Sequence, residues 1–293
     1  MRNVIISIYQ PSHLASLIPA VQPYIERAGT LIRPNEEITF SDFSIKLFTD
    51  IIGQAAFGVD FNLTKDVAAS PLTKHTAAVD GADEVAGDFI KKHLYATTSL
   101  KMDMSGSLSM SLGTFLPALQ EPLRQLLLRV PGSMDRRMDE TNAALSGELD
   151  GIVAERAALA QADRGQKNFL SVLLNAIDTS DAMRKLFTPD YVSALTYEHL
   201  LAGSGTMSFT LSSLVYLVSM HPEVEEKLLR EIDAFGPKDV VPDAEDLRTK
   251  FTYLEQVIIR MSDGLRYSVK HETFFLALVL RNLILLFLLS NRL

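Results

Sequence analysis

The 293-residue chain contains no cysteine. That absence excludes disulfides, thiolate nucleophiles, Cys-ligated zinc, iron–sulfur clusters and any thiolate-held iron within these residues. Positive charge is also in short supply. Lys and Arg number 28 against 36 Asp and Glu, the net charge is −8, and no long basic block occurs. Nucleic acid is therefore excluded as a partner, and the acidic excess mainly favours solubility. A set of alternating strands with turn signals between them is missing too. The first residues, MRNVIISIYQPSH, carry one early Arg and a short apolar run broken by Tyr9, Gln10 and Pro11. They make neither a signal peptide nor a membrane span, and the chain starts as if already inside a domain.

What is present is apolar residues at helical spacing. A hydrophobic content of 47% in a chain of this length provides for a substantial core in one large domain or two small ones. The class is mainly α. Leu14 to Thr30 is a helix candidate punctuated by Pro19 and Pro23. Ser41 reads as an N-cap, with Asp42 in the first turn of a helix whose Phe43, Leu47, Ile51 and Ala55 form one buried stripe and whose end is marked by Gly58. Asn62 to Ala82 reads as a loop, and Asp83 to Thr98 as a helix ahead of a Ser, Gly and Met stretch from Met102 to Gly113. Met134 to Ala160 is a long helix followed by an exposed turn around Ala162, and Phe169 to Ile177 is a short apolar one.

Thr188-Pro189 is a helix start, with Thr as N-cap and Pro at the first helical position, and the next proline is Pro222. A helix of roughly 32 residues, about 48 Å long, can run between them. Being apolar on most faces, it is expected to cross the centre of a large helical domain. His221-Pro222 ends it and opens another helix, which Gly236-Pro237 closes. Near the carboxyl end, Thr273 to Ser290 holds two apolar runs separated by Arg281-Asn282. A central Arg costs roughly 2.5 kcal/mol or more in a bilayer, so a buried or loosely membrane-associated helix is expected there.

The long helix carries a notch, Gly203-Ser204-Gly205, followed by Thr206. Each Gly costs roughly 1 kcal/mol relative to Ala in a helix interior. Something must therefore come close to the backbone. Separations of three and four residues bring Ala202, Gly203 and Thr206 together, and a glycine notch beside a hydroxyl suits a flat ligand. By spacing alone, close helix packing through small residues accounts for the notch better.

Ala202-Gly203-Ser204-Gly205-Thr206 resembles the central-helix motif of the cytochrome P-450 superfamily, small-Gly-x-acid-Thr-Thr/Ser. His221-Pro222-Glu223 through Glu231-Ile232 looks like the helix that follows it. More narrowly, MRNVIISIYQPSHL, ITFSDFSIKLFTDIIGQAAFGVDF and FTPDYVSALTYEHLLAGSGTMSFTLSS are similar to plant carlactone oxidases of strigolactone biosynthesis, the class named for more axillary growth. The resemblance covers residues 1–258, read as a partial cytochrome P-450 domain without its amino-terminal part and its heme-cysteine region. Residues 259–293 read as a divergent tail.

The resemblance implies a heme-thiolate monooxygenase with heme iron as cofactor, a small apolar terpenoid such as carlactone as substrate, an NADPH-dependent reductase as partner and the endoplasmic reticulum membrane as the complete protein's location. Thr206 matches the threonine that organises proton delivery on the oxygen side of the heme. A hydroxyl suits that role because it both donates and accepts. Ala202 and Gly203 match residues against which the porphyrin lies, and Arg2 matches an arginine that pairs with a heme propionate.

Three departures from the pattern stand out. Gly205 replaces an acid and Met207 a second hydroxyl, so a proton route would depend on Thr206, Ser208 and water. After FTYLEQVI (251–258), IRMSDGLRYSVK replaces the expected Glu-x-x-Arg pair. Glu121 with Arg124, and Glu245 with Arg248, satisfy that spacing by chance. The cysteine ligand is absent, which implies an inactive chain. No histidine pair has metal-site spacing; His199, one turn before Gly203, is the one to test. Asp135, Asp139 and Glu140 read as a solvated face with Arg136 and Arg137. The rival reading is a non-catalytic helical protein that binds a partner or a membrane surface through exposed apolar faces.

Overall fold

The computed structural model describes residues 11–32, 37–65, 92–93, 107–159, 168–179, 181–236 and 242–264. Among these, regular structure is helical throughout. The expected helix from Asp83, the turn around Ala162 and the apolar segment from Thr273 fall wholly or mostly outside the described residues. The chain divides into two compact units, one of residues 1–75, 165–186 and 203–293, the other of residues 76–164 and 187–202.

In the first unit, α1 (Pro11–Gly29) is unbroken, with Pro19 and Pro23 both inside it. The two prolines are four residues apart and exposed, so the backbone hydrogen bonds they forgo fall on the solvent side, where water can satisfy the carbonyls. Helix α2 (Phe40–Ile52) opens two residues earlier than expected. Its N-cap is Thr39, without a side-chain cap bond, rather than Ser41. The predicted stripe of Phe43, Leu47, Ile51 and Ala55 is buried. Ala55 lies on a π-helical turn (Gly53–Phe57), which Gly58 ends at φ 69°, a left-handed conformation that glycine adopts at little cost.

A buried polar knot ties these elements together. Asp50 accepts hydrogen bonds from the backbone N–H groups of Leu63 (3.0 Å) and Thr64 (2.9 Å), from the Thr64 hydroxyl (2.7 Å) and from Arg27 (2.9 Å). Burial pushes the Asp50 carboxyl upward, against the pull of those donors. Arg27 also reaches Asp60 at 3.4 Å.

Two helices follow in chain order from the second unit, α3 (Leu108–Phe115) and α4 (Pro117–Leu128), and then α5 (Met134–Ala158). Asp135 departs from its reading as a solvated charge. It is buried, takes hydrogen bonds from the hydroxyls of Ser107 and Ser109, and accepts from the Leu108 N–H at 3.1 Å. A first-turn carboxylate of α5 thus satisfies an orphan donor at the start of α3, where the helix dipole favours negative charge. Asp139 pairs with Arg124 and Glu140 with Arg136 in more exposed positions. Helix α5 buries Leu145, Leu149 and Val153 at four-residue spacing.

The first unit resumes with α6 (Phe169–Thr179) and α7 (Asp181–Leu186). The long helix α8 (Pro189–Ser219) has 31 residues, one fewer than the sequence allows. The Thr188 hydroxyl accepts from the Tyr191 N–H at 3.3 Å, which is the expected cap. Its residues to Ala202 belong to the second unit and those from Gly203 to the first. There Met207, Leu211, Leu214 and Val218 join a core with Leu47, Phe48 and Ile51 of α2 and Leu228 and Ile232 of α9 (Pro222–Phe235). After α10 (Ala244–Thr249) comes α11 (Thr252–Gly264). Glu231 of α9 caps α11, accepting from the Tyr253 N–H at 2.7 Å and the Leu254 N–H at 2.9 Å.

Candidate functional site

The candidate site lies on α8 around Thr206. An α-helix turns about 100° per residue, so Thr206 and Ser208 point about 160° apart and cannot serve one pocket. Thr206 is exposed, as are Ala202 one turn before it and Phe209 one turn after it, and Tyr216 continues the face. Ser204, Met207, Ser208 and Leu211 form the buried side.

Gly203 is not on the Thr206 face. A Cβ at this position would lie 2.8 Å from Cδ1 and 3.1 Å from Cγ1 of Ile52 on α2. The close approach that the notch requires is therefore supplied, at Gly203, by a protein side chain. Ala202 and Thr206 remain the residues turned outward. The expected trio on one face is thus a pair, with the glycine serving the packing behind it.

Ser208 is engaged behind the helix as well. Its hydroxyl lies 2.7 Å from that of Ser44 on α2, and Ser44 is 3.1 Å from the Ser212 hydroxyl and donates to the Ser41 carbonyl at 3.0 Å. The expected proton route through Thr206 and Ser208 loses its second member, because Ser208 sits on the buried side. This serine cluster was missed in the sequence; the available signal is that Ser44 sits between two apolar residues, Phe43 and Ile45, and one helical turn before the apolar Leu47 and Phe48.

His199, in the second unit, bonds through Nδ1 to the Leu195 carbonyl at 2.8 Å, so Nδ1 carries the proton. Burial holds its pKa below the usual value. No group of three or more His, Asp or Glu able to hold a metal ion occurs among the described residues. Arg2 lies outside the described residues, as do His75 and His271. Glu121 and Arg124 approach to 3.5 Å as a surface i, i+3 pair, the side-chain neighbour relation expected of their spacing on α4.

Helix α8 thus has one side built into a helical core and turns Ala202 and Thr206 outward on the other. The cytochrome P450 family model matches residues 2–275, and the chain belongs to that family. Thromboxane-A synthase from Sus scrofa is 22% identical over 88% of this chain and 49% of its own length. The Rattus norvegicus enzyme of the same name is likewise 22% identical, over 88% of this chain and 49% of its own. A solved structure, the cytochrome P450DA heme domain, matches with a TM-score of 0.63 at 16% identity, covering 88% of this chain and 48% of that one. That likeness bears out the mainly α, partial P450 fold. The chain spans about half the length of the curated relatives it matches. These relatives are animal proteins, and the narrower likeness to plant carlactone oxidases is not shown by them.

Proposed function

We propose that this chain supplies the oxygen-side wall of a P450 heme pocket, with Thr206 and Ala202 facing the porphyrin and Thr206 holding a proton or water at its hydroxyl. The observation that carries the reading is the outward Ala202 and Thr206 pair in the family motif, on a helix whose other side is locked into protein. When bound, heme supplies oxygen activation for insertion into an apolar substrate; the quoted segments favour a terpenoid such as carlactone. An NADPH-dependent reductase is the partner that such chemistry calls for.

The residues present fit one wall of that pocket and not its iron ligand. The chain has no cysteine to supply a thiolate. Supplied with heme, the chain is expected to give a reduced carbon monoxide difference spectrum without a thiolate-type Soret band. Appearance of that band would overturn the expected inactivity.

Membrane association, proposed for the endoplasmic reticulum, draws support from α3 and α4. Phe115, Leu116, Leu119 and Leu126 are exposed there, and Arg129 lies beside them. One helix among the described residues, Pro189–Ser219, is long and apolar enough to cross a membrane, but its residues from Gly203 contribute to a protein core. Flotation with anionic vesicles is expected, and its loss in Leu119→Asp/Leu126→Asp would localise the contact to α4. Flotation unchanged by those substitutions would discard that assignment.

A further inference from the structure

We propose that Ser44 is a positioning residue, which fixes the rotation of α8 about its own axis and thereby aims the Thr206 face outward. The proposal rests on the reading of Thr206 given above and adds how α8 is aimed. It starts from two contacts between α2 and α8, both within the first unit. At one, the fully buried Ser44 hydroxyl is held between the Ser41 carbonyl and the hydroxyls of Ser208 and Ser212. At the other, Ile52 fills the space that a side chain at Gly203 would need.

Gly203 and Ser208 are five residues apart, so they lie about 140° apart around the helix, on the two flanks of its buried side. Ser204, Met207 and Leu211 lie between them and are buried. Rotation in one direction carries the flank beside Gly203 into Ile52. Rotation in the other pulls Ser208 and Ser212 from Ser44 and takes from the buried Ser208 hydroxyl its Ser44 partner, which is costly in a low-dielectric interior. Apolar packing alone is a weaker constraint, because Leu, Met and Val can slide past one another with little change in buried area, whereas a hydroxyl pair requires a heavy-atom distance near 2.7–2.8 Å. The serines therefore add direction to a contact that the apolar residues only hold together.

The absence of cysteine makes this measurable, because any introduced thiol is unique. Thr206→Cys and Ser204→Cys report the exposed and buried faces of α8, and Leu228→Cys reports the core of the same unit. Native-state labelling with iodoacetamide should be on the order of 100-fold faster at position 206 than at 204 while Ser44 is present. In Ser44→Ala or Ser208→Ala backgrounds, that ratio should fall at least tenfold while Leu228→Cys stays protected, and Ser44→Thr should restore it. A ratio unchanged in both alanine backgrounds overturns the proposal. Deprotection of Leu228→Cys together with position 204 also overturns it, because the serines would then serve stability alone. The measurement uses no heme, so its failure leaves the family reading of Thr206 untouched, whereas the carbon monoxide spectrum leaves Ser44 untouched.

Discussion

Replacing Gly203 with Ala sets two known effects against each other. In an exposed helix interior the change stabilises by about 0.8–1 kcal/mol, through lower backbone entropy in the unfolded chain and better helix propensity. Here the new methyl would meet Ile52 Cδ1 at 2.8 Å and Cγ1 at 3.1 Å. Ile52 is buried, with its neighbours packed around it, so relief requires a rotamer change or a shift of α2. Overpacking of that kind costs about 1–3 kcal/mol. The expected sum is a net loss of about 1 kcal/mol, read as a lower urea midpoint at unchanged m-value. The decisive measurement is the cycle with Ile52→Val, which removes Cδ1 and alone costs about 0.5–1.5 kcal/mol. In that background Gly203→Ala should become neutral or stabilising, giving a coupling of about 1 kcal/mol or more, beyond the few tenths expected of independent sites. If Gly203→Ala stabilises the native chain by its full helix propensity, or the two changes are additive, Ile52 is not what the glycine accommodates.

Glu231→Ala should cost about 2 kcal/mol in chemical unfolding, since it strips two charge-assisted bonds from the start of α11, and Glu231→Gln should recover part of the loss. Stability should also fall as pH drops below about 6.5. His93 is fully buried, and burial lowers its pKa to about 4, so between those values the unfolded chain binds a proton that the folded chain does not. The loss attributable to His93 approaches about 3 kcal/mol near pH 4 and is absent above pH 7; unfolding of His93→Gln across this range should show a shallower slope. Persistence of the full slope in that variant would assign the pH dependence to other groups.

Much of the helical framework was legible because its signals are local. Thr188-Pro189 and His221-Pro222 bound α8 through capping and proline chemistry, which needs no knowledge of distant residues. The stripe from Phe43 to Ala55 follows from helical periodicity. The continuity of α1 through Pro19 and Pro23 was not legible, because it depends on which side of the helix meets solvent. Asp135 was misread for a related reason: its surroundings are polar in sequence, while its partners Ser107 and Ser109 lie more than twenty residues away. At the site, spacing placed Gly203 beside Thr206, but only the position of Ile52 reveals which way the glycine faces.

The two sides of α8 differ in what they require. Behind the helix, Gly203, Ser208 and Ser212 each have a protein partner, so their identities are explained within the first unit. On the Thr206 side, Phe209 is 58% exposed and Tyr216 is 63% exposed. An aromatic side chain buries about 150–250 Å² when covered, so roughly 120 Å² of each remains to be buried. At about 25 cal/mol per Å² of apolar surface, covering both is a gross gain of at most about 6 kcal/mol, before the cost of association is subtracted. That is comparable with the whole net stability of a typical domain, about 5–15 kcal/mol. A ligand or protein surface seated on this face would therefore shift the folding equilibrium through linkage as well as complete the pocket. Stability and cofactor binding would then draw on the same side of one helix, while the opposite side, fixed by α2, keeps that face presented.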